Sequence, residues 1–233
     1  MAVAFEAASS GNGGGNPGPS SLTTSFTVIT AAADFLTGQA GWGQGGATRT
    51  CDSMTYAAVS MTGLTAAANT AGFVDVGSRI FWLAAPAAGA NNMVTTWNTT
   101  VNSVQHGFQS FTGAHQTVQG GTVVNGTGTT VVSLVVTSET DGMVVGVATN
   151  NAVATSISTG DTESWENENN SEENCATNAS RQAGAASVTM DWTTATQACG
   201  SAWPIAPAGA AAAAVGHGAL LGGVRNVRLG MLN

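Results

Sequence analysis

The chain has 233 residues, of which 43% are hydrophobic and only 8% are charged. It contains no lysine, and five arginines stand against thirteen acidic residues, which gives a net charge of −8. This composition excludes a P-loop, a Schiff-base lysine and a lysine general base, and it argues against a basic patch that would bind nucleic acid or an anionic membrane.

The first 50 residues contain two alternating segments separated by turn-rich sequence. Ala2–Ala7 and Leu22–Ile29 alternate apolar and polar residues, which predicts a strand in each. Ser9–Ser20 is rich in Gly, Pro, Ser and Asn and is predicted to be a flexible connector. Thr30–Thr50 is predicted to be irregular. Its Gly41–Gly46 segment matches the dinucleotide-binding glycine pattern in spacing only, because no strand-to-helix context surrounds it.

No targeting segment is visible in the sequence. Met1–Ser10 holds Glu6, no cation and no long apolar run, so it does not resemble a secretory signal peptide. No stretch of 18 or more apolar residues predicts a membrane span. We therefore expect synthesis in the cytoplasm and release by lysis or in an assembled particle.

The centre of the chain holds three β-rich segments, Arg79–Ala84, Met93–Trp97 and Val104–Thr112. The first two are separated by Pro86–Asn92, a Pro/Ala/Gly/Asn turn cluster that cannot continue a strand. In Arg79–Ala84 both faces are apolar, which predicts a strand that is covered on both sides.

The second half of the chain also reads as strands. Thr130–Thr137 and Gly142–Thr149 are strongly β-forming, and the short link Ser138–Asp141 favours an antiparallel hairpin between them. Ala185–Trp192 alternates cleanly, and Cys199–Ala206 is predicted to be the last strand.

About a dozen short strands without a predicted helix indicate an all-β protein, most simply an antiparallel β-sandwich that is jelly-roll-like. The sandwich domain is predicted to span residues 1–207, and residues 208–233 form an Ala/Gly-rich C-terminal tail. We expect the tail to be a docking segment that orders against another surface, or to pack back on its own domain. Its candidate docking residues are Leu220, Leu221, Val224, Arg225, Val227, Arg228, Leu229, Met231 and Leu232.

Three cysteines, Cys51, Cys175 and Cys199, permit at most one intrachain disulfide. Cys175 and Cys199 lie on either side of a predicted strand and are the candidate pair, with buried free thiols as the alternative. No Cys/His spacing predicts a zinc site.

One segment concentrates negative charge, Asp161–Glu173, with six acidic residues. We predict a solvated loop, and the alternatives are a Ca²⁺ contact and a pair of glycosidase carboxylates, Glu163 and Glu166. The spacing of an EF-hand is absent, and a glycosidase needs two carboxyl groups at a defined separation. Apart from Ca²⁺ at this segment, no cofactor and no metal are predicted.

The aromatic residues offer one candidate binding site. Trp42 and Trp165 fall in predicted loops, so these two are the candidate glycan contacts. The other four tryptophans fall in predicted strands and are assigned to the core: Trp82, Trp97, Trp192 and Trp203. His106, His115 and His217 show no catalytic or metal-binding spacing, and no GxSxG or HExxH motif occurs, so no catalytic residue is predicted.

Five segments in chain order carry a resemblance to a known family: TYAAVSMTGL at Thr55–Leu64, IFWLAAPAAGANNMVTTW at Ile80–Trp97, GFQSFTGAHQT at Gly107–Thr117, GDTESW at Gly160–Trp165 and GAASVTMDWT at Gly184–Thr193. Together they resemble a β-sandwich domain of phage structural proteins and bacterial surface or secreted proteins. The chain departs from that family at Ala57–Ala58, where Asn-Gly is usual, and in Thr30–Thr50. The resemblance covers about residues 2–207 and implies a jelly-roll-like sandwich used for display, attachment or decoration, without known catalytic residues.

The resemblance, the absent export signal, the low charge and the apolar tail together predict a non-enzymatic phage virion structural protein. It would be a capsid decoration protein, a head fibre or a tail-associated protein, docked on the particle through its C-terminal tail. Its expected partners are other virion proteins and copies of itself, with no nucleic acid and no membrane. The alternative is a carbohydrate-binding module or adhesin that recognises host surface glycans, and a glycoside hydrolase is the third hypothesis.

Overall fold

A computed structural model describes residues 1–14, 18–29, 35–45, 49–70, 74–117, 119, 121–151, 158–159, 161–169, 175–194 and 196–209. Throughout these residues the chain is all-β, and none of them forms a helix of the length and hydropathy needed to cross a membrane. The first ten strands are β1 (Ala4–Gly14), β2 (Ser21–Val28), β3 (Phe35–Gly45), β4 (Cys51–Tyr56), β5 (Val59–Ser60), β6 (Thr62–Gly63), β7 (Ala67–Asn69), β8 (Val74–Ala84), β9 (Gly89–Trp97) and β10 (Ser103–Thr112). The remaining strands are β11 (Val124–Gly128), β12 (Val131–Val136), β13 (Met143–Asn150), β14 (Ser158–Thr159), β15 (Thr162–Asn169), β16 (Cys175–Ala183), β17 (Val188–Thr193) and β18 (Ala198–Ile205).

The described strands form four antiparallel sheets. Strands β1 to β10 make a first inner sheet, in the order β1-β10-β3-β8-β6 with β7 also paired to β8, and a first outer sheet, β2-β9-β4-β5. Strands β11 to β18 make a second inner sheet, β11-β18-β13-β16-β15, and a second outer sheet, β12-β17-β14. The two inner sheets face each other, with β8 against β18 and β3 against β13, so the fold consists of stacked β layers.

The two halves of the chain share one strand order. In the inner sheets, β1-β10-β3-β8 of the first half corresponds to β11-β18-β13-β16 of the second. In the outer sheets, β2-β9-β4 corresponds to β12-β17-β14. Each half is therefore a pair of packed sheets built by the same route of the chain.

Three large apolar cores of the described residues, and a small fourth one at Ala67, Val76 and Cys199, fill the spaces between the layers. The first lies between the first outer and inner sheets, and it includes Trp42, Tyr56 and Phe108. The second lies between the second inner and outer sheets around Trp192. The third joins the two inner sheets at one end of their interface, where Phe35 packs with residues of β13 and β18.

Strand β8 confirms the prediction that Arg79–Ala84 is covered on both sides. Phe81 belongs to the core shared with the first outer sheet, whereas Ile80 belongs to the core shared with the second inner sheet. Alternate residues of a strand point to opposite faces, so a strand of an inner layer needs apolar side chains on both.

The prediction that Thr30–Thr50 is irregular is wrong for its middle part, because Phe35–Gly45 is strand β3 at the centre of the first inner sheet. Its glycines lie where a neighbouring layer comes close. A Cβ on Gly41 would overlap the hydroxyl of Thr177, and a Cβ on Gly38 would overlap the sulfur of Met54. The glycines that suggest a loop in sequence are here required by close packing between layers.

Two further segment predictions are corrected. Strand β1 extends through Gly14, into the segment predicted to be a connector, because β10 pairs with it along its whole length. Strands β12 and β13 lie where the sequence predicts them, but they do not form a hairpin. β12 pairs with β17 in the outer sheet and β13 pairs with β16 and β18 in the inner sheet, so Ser138–Asp141 crosses from one layer to the other.

Candidate functional site

The two candidate glycan contacts are buried, so that prediction is wrong. Trp42 is 1% exposed and lies on β3, where its ring covers the position at which a Cβ of Gly77 would stand. Trp165 is 6% exposed on β15, packs against Gly107 and donates its indole N–H to Gln39 Oε1 at 3.3 Å. Neither ring offers a face to a ligand.

The candidate disulfide between Cys175 and Cys199 is also wrong, because all three cysteines are free and buried. Strand β13 lies between β16 and β18, which carry these two residues, so two interstrand spacings of about 4.8 Å separate their backbones. A disulfide joins Cα atoms that lie at most about 7 Å apart. Burial raises the pKa of the Cys175 and Cys199 thiols to about 12, and that of Cys51 well above its ordinary value.

The acidic segment forms a strand rather than the predicted loop over Thr162–Asn169, at the edge of the second inner sheet. Glu163 accepts a hydrogen bond from the amide of Asn178 at 2.8 Å, and Asp161 accepts hydrogen bonds from Gln182 and from the backbone N–H of Asp191. No group of three or more His, Cys, Asp or Glu residues that could hold a metal ion occurs in the described part of the chain.

A layer of buried polar side chains lies between the two inner sheets. Gln105 is its best-bonded member. Its Oε1 accepts from the Thr177 hydroxyl at 2.9 Å and from the Cys175 thiol at 3.4 Å. Its Nε2 donates to Ser103 Oγ at 2.9 Å and to the Cys175 carbonyl at 3.0 Å. Because unpaired polar groups are costly to bury, this network fixes how the two halves fit together.

A buried histidine joins the first inner sheet to the first outer sheet. His106 Nδ1 lies 2.7 Å from Thr95 Oγ1, and its Nε2 lies 2.8 Å from Thr24 Oγ1. Burial lowers the pKa of His106 to about 4. The ring is therefore neutral at pH 7, with one nitrogen donating and the other accepting, and it serves as a bridge between strands.

Among the described residues, a pocket of about 550 Å³ lies between the edges of β6 and β11. Leu64, Val123 and Trp203 supply its apolar surface, and Thr65 and Asn125 supply polar groups; none of its lining residues is charged. Beneath it, Trp203 stacks on Trp82 with ring centroids 6.2 Å apart and donates its indole N–H to Gly121 O at 3.1 Å. The pocket suits a small neutral polar molecule.

Sequence reasoning missed this pocket. It assigns Trp203 to the core, which the structure confirms at 2% exposure, but the pocket is built by strand edges from both halves of the chain. The available signal is the mixture of Gly, Thr, Val and Asn at 121–125, which supplies half of the residues that line the pocket.

The predicted docking residues of the tail, 220–232, lie outside the described residues. The point at which the tail leaves the body is nevertheless fixed. Ala208 N donates to Gly113 O at 2.6 Å, and the terminal amino group of Met1 donates to Ala208 O at 3.1 Å. The tail therefore begins beside the N-terminus, at the end of β10.

No family model, no curated protein and no solved structure matches this chain. The functional conclusion therefore depends on the sequence and on the geometry described above.

Proposed function

We propose that this protein is a non-enzymatic structural component of a phage particle: a capsid decoration protein, a head fibre or a tail-associated protein. The observation that carries the proposal is the burial of side chains that could otherwise act as acids, bases or nucleophiles. His106, Cys175 and Cys199 are buried and hydrogen-bonded within or between layers. A body of this kind is suited to mechanical and display roles, in which outer surfaces matter more than a reactive centre.

We further propose that each half is a jelly roll. In an eight-stranded jelly roll the two sheets interleave strands from the start and the end of the chain. The order β1-β10-β3-β8 over β2-β9-β4-β5 has this interleaving, and β11-β18-β13-β16 over β12-β17-β14 repeats it. Two such units in one chain give a rigid double module for the surface of a particle.

The charge distribution supports docking through the tail. All thirteen acidic residues precede residue 208, together with three of the five arginines. The tail carries Arg225 and Arg228 and no acid. A cationic, apolar tail and an acidic body are complementary, so the tail of one copy fits an acidic surface on the particle or on a neighbouring copy.

The experiment compares the full chain with a chain that ends at Gly209, which keeps the Ala208 hydrogen bonds. Immunogold labelling of particles released by the cells that make the protein tests its location. We expect the full chain to label particles and to co-sediment with them, and the shortened chain to stay folded and remain in the supernatant. A full chain that is never found on particles would contradict the proposal.

The alternative, a carbohydrate-binding module, is favoured by one observation, the uncharged pocket between β6 and β11. The Asn125 amide nitrogen already donates to Thr65 O and Ala66 O, so a bound sugar would donate to Asn125 Oδ1, hydrogen-bond to the Thr65 hydroxyl, and pack on Leu64 and Trp203. Asn125→Leu and Thr65→Phe should abolish glycan binding in an array, whereas Trp42→Phe, a change in the core, should leave it intact. If none of the arrayed glycans binds the unaltered protein, this alternative is excluded for the glycans tested.

A further inference from the structure

In the part of the chain that the structure describes, one edge of the second outer sheet is open and lacks the usual protection of an edge strand. Among the described residues β12 hydrogen-bonds only with β17, so the backbone groups of its other edge have no strand partner there. The strand VVSLVV holds no charge and no proline, and its register with β17 has no bulge. Natural edge strands normally carry a charge, a proline or a bulge, because an open, uncharged, β-forming edge pairs with other chains.

The outward face of this strand is apolar. Val131 is 49% exposed and Val135 is 61% exposed, with Ser133 between them on the same face. Few large hydrophobic side chains are exposed elsewhere in the described chain, and here two share one face of a single edge strand. Exposed apolar residues clustered in this way mark a contact surface.

The other half of the molecule provides an internal comparison. β2 occupies the same place in the first outer sheet that β12 occupies in the second, at the end of the order β2-β9-β4. Its outward residues are all hydroxyl-bearing: Ser21, Thr23, Ser25 and Thr27. The apolar outward face is therefore a property of β12 and does not follow from the topology.

We propose that β12 pairs antiparallel with β12 of a second copy, so that the two second outer sheets join into one continuous sheet. Residues directly opposite each other in an antiparallel pair lie on the same face. The twofold axis must therefore lie midway between the two copies of one residue, which are then directly opposite each other. An axis at Ser133 brings the two Ser133 residues together and places Val131 of each copy opposite Val135 of the other. This register places each exposed valine opposite a valine, whereas a register centred on Leu134 would place Val131 opposite Thr137 and Val135 opposite Ser133.

The surrounding charges favour the antiparallel arrangement, and the second copy is favoured as the occupant because its exposed valines complement those of the first in this register. Glu139 and Asp141 follow the C-terminal end of the strand, and no charged residue lies in 124–130 before it. Asp191 of β17 pairs with Ser133, but on the side of β12 away from the open edge. Antiparallel pairing places the carboxylates of the two copies at opposite ends of the junction, whereas parallel pairing would place them side by side. The neighbouring edge strand β11 has only small side chains at Gly126, Thr127 and Gly128, which leaves room for a second copy.

This pairing does not depend on the proposed function, because it concerns only an edge of the sheet. It is tested on the full chain with Ser133→Cys, since opposed Cβ atoms lie about 4.5–5.5 Å apart and can approach disulfide geometry. The three native thiols are buried and do not compete. The matched control is Ser25→Cys on β2. We expect oxidation to give a covalent dimer from Ser133→Cys and not from Ser25→Cys.

A charge exchange tests the register. In the proposed dimer each substitution acts twice across the twofold axis. Val131→Lys alone and Val135→Glu alone should each weaken the dimer by roughly tenfold in light scattering. The double variant places the introduced lysine of each copy opposite the introduced glutamate of the other, so it should recover most of the loss. Near-ultraviolet circular dichroism should be the same for all variants, because these side chains point to solvent.

Three results would overturn the proposal. The first is an unaltered chain that remains monomeric up to its solubility limit, and the second is cross-linking of Ser25→Cys as efficient as that of Ser133→Cys. The third is a double variant no tighter than the weaker single variant, which would place the contact elsewhere.

Discussion

The imidazole of His106 touches hydroxyl groups on two strands of the first outer sheet, Thr24 on β2 and Thr95 on β9. Because burial lowers its pKa from 6.5 to about 4, the unfolded chain binds a proton more readily than the folded chain between these values. The free energy of unfolding should therefore be intact above about pH 6.5 and fall as the pH falls toward 4. The full loss is about 3 kcal/mol.

Urea unfolding across this pH range measures the effect. His106→Gln keeps an amide that can hydrogen-bond to the threonines and removes the titration, so its stability should change less with pH than that of the unaltered protein. His115→Gln is the matched control, and it should keep the full dependence because His106 remains. Equal pH slopes for His106→Gln and the unaltered protein would contradict the bridge.

The buried thiols give a second residue-scale prediction. Reaction with thiol reagents requires the thiolate, and burial holds the pKa of Cys175 and Cys199 at about 12 while also blocking access. Native protein should react with a chromogenic disulfide reagent at least about a hundredfold more slowly than Ser25→Cys, which places a thiol on an exposed position. All three native thiols should appear on unfolding. Fewer than three would indicate a disulfide and contradict the assignment.

Among the elements, β3 has little tolerance for added volume at Gly41. Gly41→Ala would place a methyl group against the hydroxyls of both Thr177 and Thr149, closer than a Cβ can approach, in the interface between the inner sheets. Overpacking of this kind costs about 1–3 kcal/mol. Gly43→Ala is the matched control on the same strand and face, because its nearest neighbour, Cys175, lies 3.0 Å away. Chemical denaturation should rank Gly41→Ala well below Gly43→Ala, and the reverse order would contradict the packing.

The elements also show what the sequence can and cannot predict. Local periodicity identifies β8, β12 and β13, because the apolar residues of each strand lie on the faces that the fold buries. It cannot identify β3, because its glycines are required by close packing against a layer whose residues are distant in sequence. It also cannot tell that β12 and β13 lie in different sheets, since a hairpin and a crossing between layers use similar short links.

The candidate site has the same limit. Trp42 and Trp165 are flanked by residues typical of loops, so sequence places them at the surface, whereas both belong to strands that other layers cover. The pocket between β6 and β11 and the open edge of β12 arise from sheet order, which only the folded chain reveals. The buried tryptophans Trp97 and Trp192 are predicted correctly because their strands have one clear apolar face.

At the scale of the molecule, the two halves share a strand order, but the interface between them differs in composition from the apolar cores within them. Within each half, inner and outer sheets meet through apolar cores. Between the halves, the aromatic stack of Phe35, Trp82 and Trp203 covers one part of the interface and hydrogen-bonded side chains around Gln105 cover another. A mixed interface restricts the two halves to one register, since sliding would leave buried polar groups unpaired.

This interface should make the halves unfold together, and two glutamines on β10 test how. Gln105→Leu removes the hydrogen bonds that Thr177, Ser103 and the Cys175 carbonyl make to Gln105, which should cost about 3 kcal/mol. Gln109 points to the same interface, but its Oε1 has no partner among the described residues and its Nε2 reaches Ser180 O only at 3.5 Å. Gln109→Leu should therefore be near neutral, because it removes a buried oxygen that is not hydrogen-bonded there.

Calorimetry provides the measurement. The unaltered protein and Gln109→Leu should show one transition at similar temperatures, whereas Gln105→Leu should unfold roughly 6–12 °C lower. If the polar layer only fills space, the two leucine variants will have equal midpoints. If the unaltered protein already unfolds in two steps, the halves are independent modules, and the hydrogen bonds of Gln105 do not couple them.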